Sequence, residues 1–479
     1  MNLVVVTWVA SIVMSVFFIV MSFIWRKKAG ESFANFAIAG GTLPFILILF
    51  TDIATIMGVG NFVGHSSKGY QVGLANIPFI VGEQGAKIIF ALVFAGFAAR
   101  FTYKSIAEMM NDLILRDKIA RALVGLLTSA IMLSWVGGQA KGMGDLFSVF
   151  TGVDPVPMII FFSCVFIAYT MIGGMYSVVW TDLIQGGLLI AIAIYIYIKI
   201  FGTVDYSFAT LKTKLQEVDA LSLAEFTLPF GEVFTLFITG IFGVLAAQVY
   251  WQRSFAAKRP KDASRAMLYS GIVAIVFTSL SSLAGIVIYA MYPDLDPNNA
   301  ISWFILEEMT QFAILAFFIL IYLAAISSAS SLLHSASVVI INDLVMPNGK
   351  EKDDAYYVKI ARWCVLIVGI FATAAALWAQ TIIDLFSLAY TMTGGGVIPV
   401  LVIGLLWKRK KDVAFTMGVQ NSGVSIWGSR LGLLSGAACS LAFGILWGVV
   451  ISTIVTIVFS LILPTKRDPI SSDKAESAV

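Results

Sequence analysis

Long apolar runs broken by short polar clusters dominate the chain. Runs near 3–25, 44–66, 75–99, 122–150, 156–175, 179–203, 231–251, 266–292, 306–342, 360–379 and 381–407 are each long enough for a transmembrane helix. One or two more crossings are expected before residue 463. Most basic residues fall between the runs and alternate in register with them. Arg26, Lys27 and Lys28 follow the first run, and the clusters around Arg100–Arg121, Arg253–Arg265, Lys350–Arg362, Lys408–Lys411 and Lys466–Arg467 all land on that same side. Only Lys68, Lys199, Lys212 and Lys214 fall opposite. This bias predicts an N-terminus outside, a C-terminus in the cytoplasm and residence in the plasma membrane (the inner membrane of a Gram-negative cell). An even number of crossings after Lys411 satisfies it, so two are expected and about thirteen in all, although 412–429 is polar and 431–463 is short for two helices.

With 59% hydrophobic and 12% charged residues, the expected class is an all-α polytopic membrane protein. The first run lacks a basic n-region and reads as a span, not a cleavable signal. The excess of 31 Lys and Arg over 28 Asp and Glu is small and lies in loops, so it implies no nucleic-acid partner. Cys164, Cys364 and Cys439 have no metal spacing, and two histidines are too few for a His-based metal site or proton relay. No Gly-x-x-x-x-Gly-Lys-Ser/Thr loop is present, which leaves a gradient as the source of energy, or a channel. No catalytic constellation is visible, so an enzyme is not expected.

Three segments carry candidate chemistry. In Leu323–Ser335, the residues Ala324, Ser327, Ser328, Ser331 and Ser335 share one helix face. Oxygens gathered there suit a dehydrated Na⁺, although small and hydroxyl residues also line packed helices. In Thr51–His65, Gly58, Gly60 and Gly64 interrupt an apolar run that also holds Asp52 and Asn61, which allows an unwound stretch with free carbonyls or, equally, a glycine-lined packing helix. In Tyr169–Gln185, Gly173 and Gly174 mark a cytoplasmic turn, and Asp182 follows just inside the next helix, as a functional carboxylate or a cap.

These segments, with Gln248–Lys258 and the Gly394–Arg409 run, resemble the sodium:solute symporter family, which includes sugar, proline, pantothenate and sialic acid carriers. The resemblance covers about residues 30–410. It implies two inverted five-helix repeats of the bacterial leucine transporter type, over 44–203 and 231–407, after an extra helix in 1–30 and before C-terminal helices in 412–463 and a cytoplasmic tail, 464–479. It implies a sodium site from the carbonyls of Ala54, Met57 and Ala324 and the hydroxyls of Ser327 and Ser328. Some members have a second sodium site, matched here by Asp182, Ser330 and Ser331. Pocket positions match Gly58, Asn61, Glu83, Gln139, Lys141 and Gln248, although Gln248 and Trp251 lie near Arg253 and also suit a cytoplasmic gate.

The expected function is sodium-coupled import of a small organic solute by alternating access. The alternative is a sodium-responsive sensor or channel-like protein on the same scaffold. Glu83 and Lys141, if both line the pocket, favour a zwitterion or carboxylate such as an amino acid. In the alternative, each pairs within its own helix, Glu83 with Lys87 and Lys141 with Asp145, and neither meets the solute.

Overall fold

The computed structural model describes residues 2–226, 228–407 and 422–465. Regular structure among them is helical, with one isolated bridge between Leu43 and Ala257. Nine of these helices are long and apolar enough to cross a bilayer, or ten when one bent pair is joined.

The first helix, Leu3–Ala29, starts on an Asn2 cap that accepts from Val4 N–H, and it ends in the basic trio Arg26–Lys28. The next apolar run is broken as its glycines suggest. Helix Phe45–Ile56 stops at Met57, whose ψ of 50° is not helical, and the chain resumes through Gly60–Gly64 into His65–Val72. Packing at the break is tight, because a Cβ on Gly58 would lie 2.6 Å from Ser328 Oγ and 2.7 Å from Gln139 Oε1 and would push one of them aside.

Pro155–Gly202 is helical over 48 residues. Straight, it would run about 72 Å, more than twice the hydrocarbon thickness. Gly174 resolves this with φ +61°, a conformation that glycine adopts without a Cβ penalty. The two spans expected on either side of Gly173–Gly174 are therefore joined there, and Asp182 lies in the second.

The expected single span at 231–251 is instead two helices, Phe230–Ala246 and Gln248–Phe255, bent by 41°. Neither Gly nor Pro makes this break. The second piece is polar, and distant partners hold it. Gln248 bonds Ile106 N–H (2.9 Å) and Lys104 O (3.0 Å), Gln252 bonds Ala37 O (2.7 Å), and Trp251 Nε1 turns back to Leu245 O (2.8 Å).

Helix Gln311–Val339 is the central mast, with every residue from Leu320 to Val339 buried. It packs against Lys118–Thr151 and Pro155–Gly202, so the serine stripe faces protein throughout. After Asp354–Trp378 and Ile382–Leu406, the described chain ends in a hairpin, Ile426–Phe443 and Ile445–Ile462, that turns at Gly444. Gly428 and Gly432 bring its arms so close that a Cβ would meet Ser460 Oγ at 2.1 Å and Thr456 Oγ1 at 2.0 Å. Two helices of 18 residues each fit because the first starts at Ile426, inside the polar stretch, and Gly444 turns the chain in a single residue. The basic cluster 408–411, most of the polar stretch 412–429 and the tail from Lys466 lie outside the described residues.

Candidate functional site

The broken helix and the central mast meet at an oxygen-rich contact. Ser327 Oγ lies 2.8 Å from Ala54 O, 2.8 Å from Leu323 O and 3.3 Å from Ala324 O. Ser328 Oγ lies 2.7 Å from Thr55 O and 3.4 Å from Ala54 O. Two hydroxyl hydrogens therefore face four carbonyl oxygens. Such a surplus of neutral acceptors suits a hard cation that takes oxygen ligands. Ala54, Met57, Ala324, Ser327 and Ser328 are all buried, Met57 at the break itself. Among the described residues no cluster of three or more His, Cys, Asp or Glu offers a charged alternative.

One turn away lies a buried cluster of four charges. Asp182 Oδ2 accepts from Thr51 Oγ1 (2.6 Å) and Ser331 Oγ (3.4 Å). Arg253 is 1% exposed and donates to Thr55 Oγ1, to Ser331 Oγ (3.0 Å) and to Thr51 Oγ1 (3.3 Å). A residue grouped with the cytoplasmic loops by its charge is thus a core cation, because buried hydroxyls and carboxylates compensate it. Ser330 is not part of this cluster, since its hydroxyl bonds Ser327 O in its own helix (3.1 Å). Lys87 donates to Asp52, which also accepts from Ser270, and Arg253 Nε lies 3.9 Å from Asp52 Oδ1. The expected intrahelical Glu83–Lys87 pair is replaced by this cross-helix one.

Glu83 is held elsewhere. Its Oε1 accepts from Tyr390 OH (2.6 Å), and its Oε2 meets His65 Nε2 (3.1 Å) and Gln84 Nε2 (2.8 Å). Together with Gly58, Asn61 and Gln139 it lines a cavity of about 20 Å³ beside the helix break. That is room for about one water, so a solute enters only when these side chains part. Gln139 Oε1 accepts from Val59 N–H at the break (2.7 Å), and Asn61 Nδ2 donates to Thr278 Oγ1 (2.8 Å). Four of the six expected pocket residues thus meet in one cavity.

Two do not. Lys141 pairs with Asp145 at 3.4 Å, and Asp145 lines a separate depression with Lys68, which itself pairs with Asp384 at 2.9 Å. An i,i+4 neighbour was always within its reach. Gln248 spends both ends of its amide on the 104–106 backbone and tethers that loop instead of lining the cavity. His65 and Tyr390, which bond Glu83, and Trp135 and Phe386, which line the cavity, also belong to the site. Their only sequence signal is a polar or aromatic residue in an apolar run.

Residues 36–419 match the family model described as "Sodium:solute symporter family". A sodium/sialic acid symporter of Proteus mirabilis is 27% identical over 435 residues, covering 85% of each chain. A high-affinity choline transporter of Drosophila melanogaster is 27% identical over 433 residues, covering 84% of this chain and 67% of that protein. The solved structure of a Na⁺-coupled sialic acid symporter, described as substrate-bound and outward-open, superposes with a TM-score of 0.79 at 20% identity over 96% of this chain and 98% of that one. That likeness shows the helical transporter fold that the sequence implied. With the family model spanning most of the chain and the polytopic helical fold matching, this chain belongs to the sodium:solute symporter family, and it is a membrane transporter that imports a solute with sodium as the coupling ion.

Proposed function

We propose that one coupling Na⁺ binds between the carbonyls of Ala54, Met57 and Ala324 and the hydroxyls of Ser327 and Ser328, and that the solute binds in the cavity lined by Gly58, Asn61, Glu83 and Gln139. The observation that carries this reading is the shared helix break. The same turn at Met57–Gly58 ends the carbonyl ladder at the ion position and forms one wall of the cavity. An ion there fixes the break, and the break shapes the cavity, so the two ligands favour one conformation together. Each half of the expected inverted repeat, 44–203 and 231–407, begins with an interrupted helix, at Met57 and at Ala247. This supports alternating access by movement of one bundle against the other.

The thirteen-span topology, with the N-terminus outside and the C-terminus in the plasma membrane's cytoplasmic face, belongs to the same proposal and rests on the basic-loop bias. A second sodium ion near Asp182, Ser330 and Ser331 has less support, because the Arg253 guanidinium already donates to Ser331 and Thr51 there. The relatives' names, sialic acid and choline, do not agree on one solute.

Thermal melting of purified protein tests the ion site. Na⁺ should raise the melting temperature and equal K⁺ should not, because a ligand of the folded state stabilises by mass action. Ser328→Ala removes one oxygen and should weaken the Na⁺ shift. Equal shifts with K⁺, or an unaltered shift in Ser328→Ala, would remove the assignment.

A further inference from the structure

The solute cavity has a charge sign of its own. Glu83 is its one acidic or basic lining residue apart from the Tyr250 phenol. The nearest other charges cancel in pairs: Lys87 is committed to Asp52, and Arg253 lies among Asp182, Asp52 and their hydroxyl partners. Glu83 itself is held by Tyr390 OH, Gln84 Nε2 and His65 Nε2, and Asn76 Nδ2 lies 3.2 Å from the other imidazole nitrogen and 3.1 Å from Ser282 Oγ. It is thus the one carboxylate at the cavity wall, and no lysine or arginine pairs with it.

The remaining polar groups point the same way. Asn61, Gln84 and Gln139 each direct one amide hydrogen to a protein partner, Thr278, Glu83 and Trp135 O. Gln84 Oε1 is buried with no partner, an acceptor waiting for a donor. The groups without partners that can donate, Trp135 Nε1 and Tyr250 OH, are neutral. Three aromatic rings, Trp135, Tyr250 and Phe386, also line the cavity. Trp135 packs edge-on against Tyr250 (6.1 Å between centroids) and Phe386 (6.1 Å). Lys87 Nζ already lies 5.2 Å from the centre of the Tyr250 ring, so that ring tolerates a cation. A carboxylate solute would find no charged donor here, whereas a positive group finds a carboxylate, a free amide oxygen and ring faces.

We propose that the solute is a small organic cation, its ammonium group held by Glu83 and Gln84 Oε1 and its carbon portion packed against Trp135, Tyr250 and Phe386. This rests on the reading of the cavity as the solute site. It replaces the zwitterion that Lys141 had suggested, because Lys141 is bound to Asp145 outside the cavity.

The test is a probe panel on the full-length protein in saturating Na⁺, read by thermal shift and by sodium-driven uptake into liposomes. The probes are choline, ethanolamine, L-alanine, lactate and glucose. Choline or ethanolamine should stabilise the protein and enter, and Glu83→Gln should weaken that binding by about 10- to 100-fold, the loss expected for a hydrogen bond to a charged group. The sodium shift should survive in that variant. Binding of lactate, L-alanine or glucose alone, or of neither cation, overturns the assignment. So does a cation affinity unchanged in Glu83→Gln. The panel on the unaltered protein decides the matter even if that variant does not fold. Loss of the sodium shift in the unaltered protein would instead bring down the ion-site reading.

Discussion

Lys87→Met should be among the most damaging single changes outside the ligand sites. Methionine keeps the length and the apolar stem and removes only the ammonium. Both Lys87 and Asp52 are 0% exposed, and after the change Asp52 retains only the Ser270 hydroxyl and an Arg253 nitrogen 3.9 Å away. Removing one member of a buried pair costs about 3–5 kcal/mol, because the survivor stays desolvated without its partner. At about 2.1 cal/mol/K of unfolding entropy per residue, the 479 residues give about 1 kcal/mol/K, hence a melting temperature about 3–5 °C lower. Asp52→Asn combined with Lys87→Met removes both charges and should recover at least half of that loss. The assay is a melting curve of wild type, both single variants and the double, read as a double-mutant cycle. A Lys87→Met protein that melts with wild type, or a double variant whose loss equals the sum of the singles, would refute the pairing.

Two further outcomes follow from close contacts. Gly58→Ala places a Cβ within 2.7 Å of both Ser328 Oγ and Gln139 Oε1, so it should cost about 1–3 kcal/mol of overpacking and raise the sodium concentration needed for half-maximal uptake; an unchanged sodium dependence would show that the break does not shape the ion site. Asp117 caps helix Lys118–Thr151 and accepts two bonds from Arg430, at 2.8 and 2.7 Å. Burial pushes its carboxyl up, but Arg430 and the Ala120 amide outweigh this and hold it below the ordinary value. Its contribution is therefore complete above about pH 4 and is lost as the pH falls through the lowered folded value. Asp117→Asn should flatten the acid side of the stability profile, and an identical acid limb would remove that role.

The sequence predicts features that local composition controls. Glycines at 58 and 174 mark real breaks, Gly174 through a positive φ and Gly58 through close packing against Ser328 and Gln139. Serines at helical spacing reach the carbonyls of Ala54 and Thr55 because spacing alone aligns a helix face. The break at Ala247 was not legible, because contacts to residues 104–106 and 37 set it, and no local breaker does. Lys87 shows the same limit. An i,i+4 partner is always visible in sequence, whereas Asp52, 35 residues away, becomes a neighbour only when two helices pack. The charge of the cavity depends on which of the two partners Lys87 takes.

The proposed ion site is built from neutral oxygens, and the four ionisable groups beside it, Asp52 and Asp182 against Lys87 and Arg253, balance in formal charge. Among those four no charge is left over to offset that of a passing ion. Every Na⁺ carried inward then moves a full unit through the electric field of the membrane, which performs about 2.3 kcal/mol of work per 100 mV. A cationic passenger would add a second unit. On this arrangement the turnover of the protein is an inward current, and membrane voltage sets how far it can concentrate its cargo, as directly as the sodium gradient does.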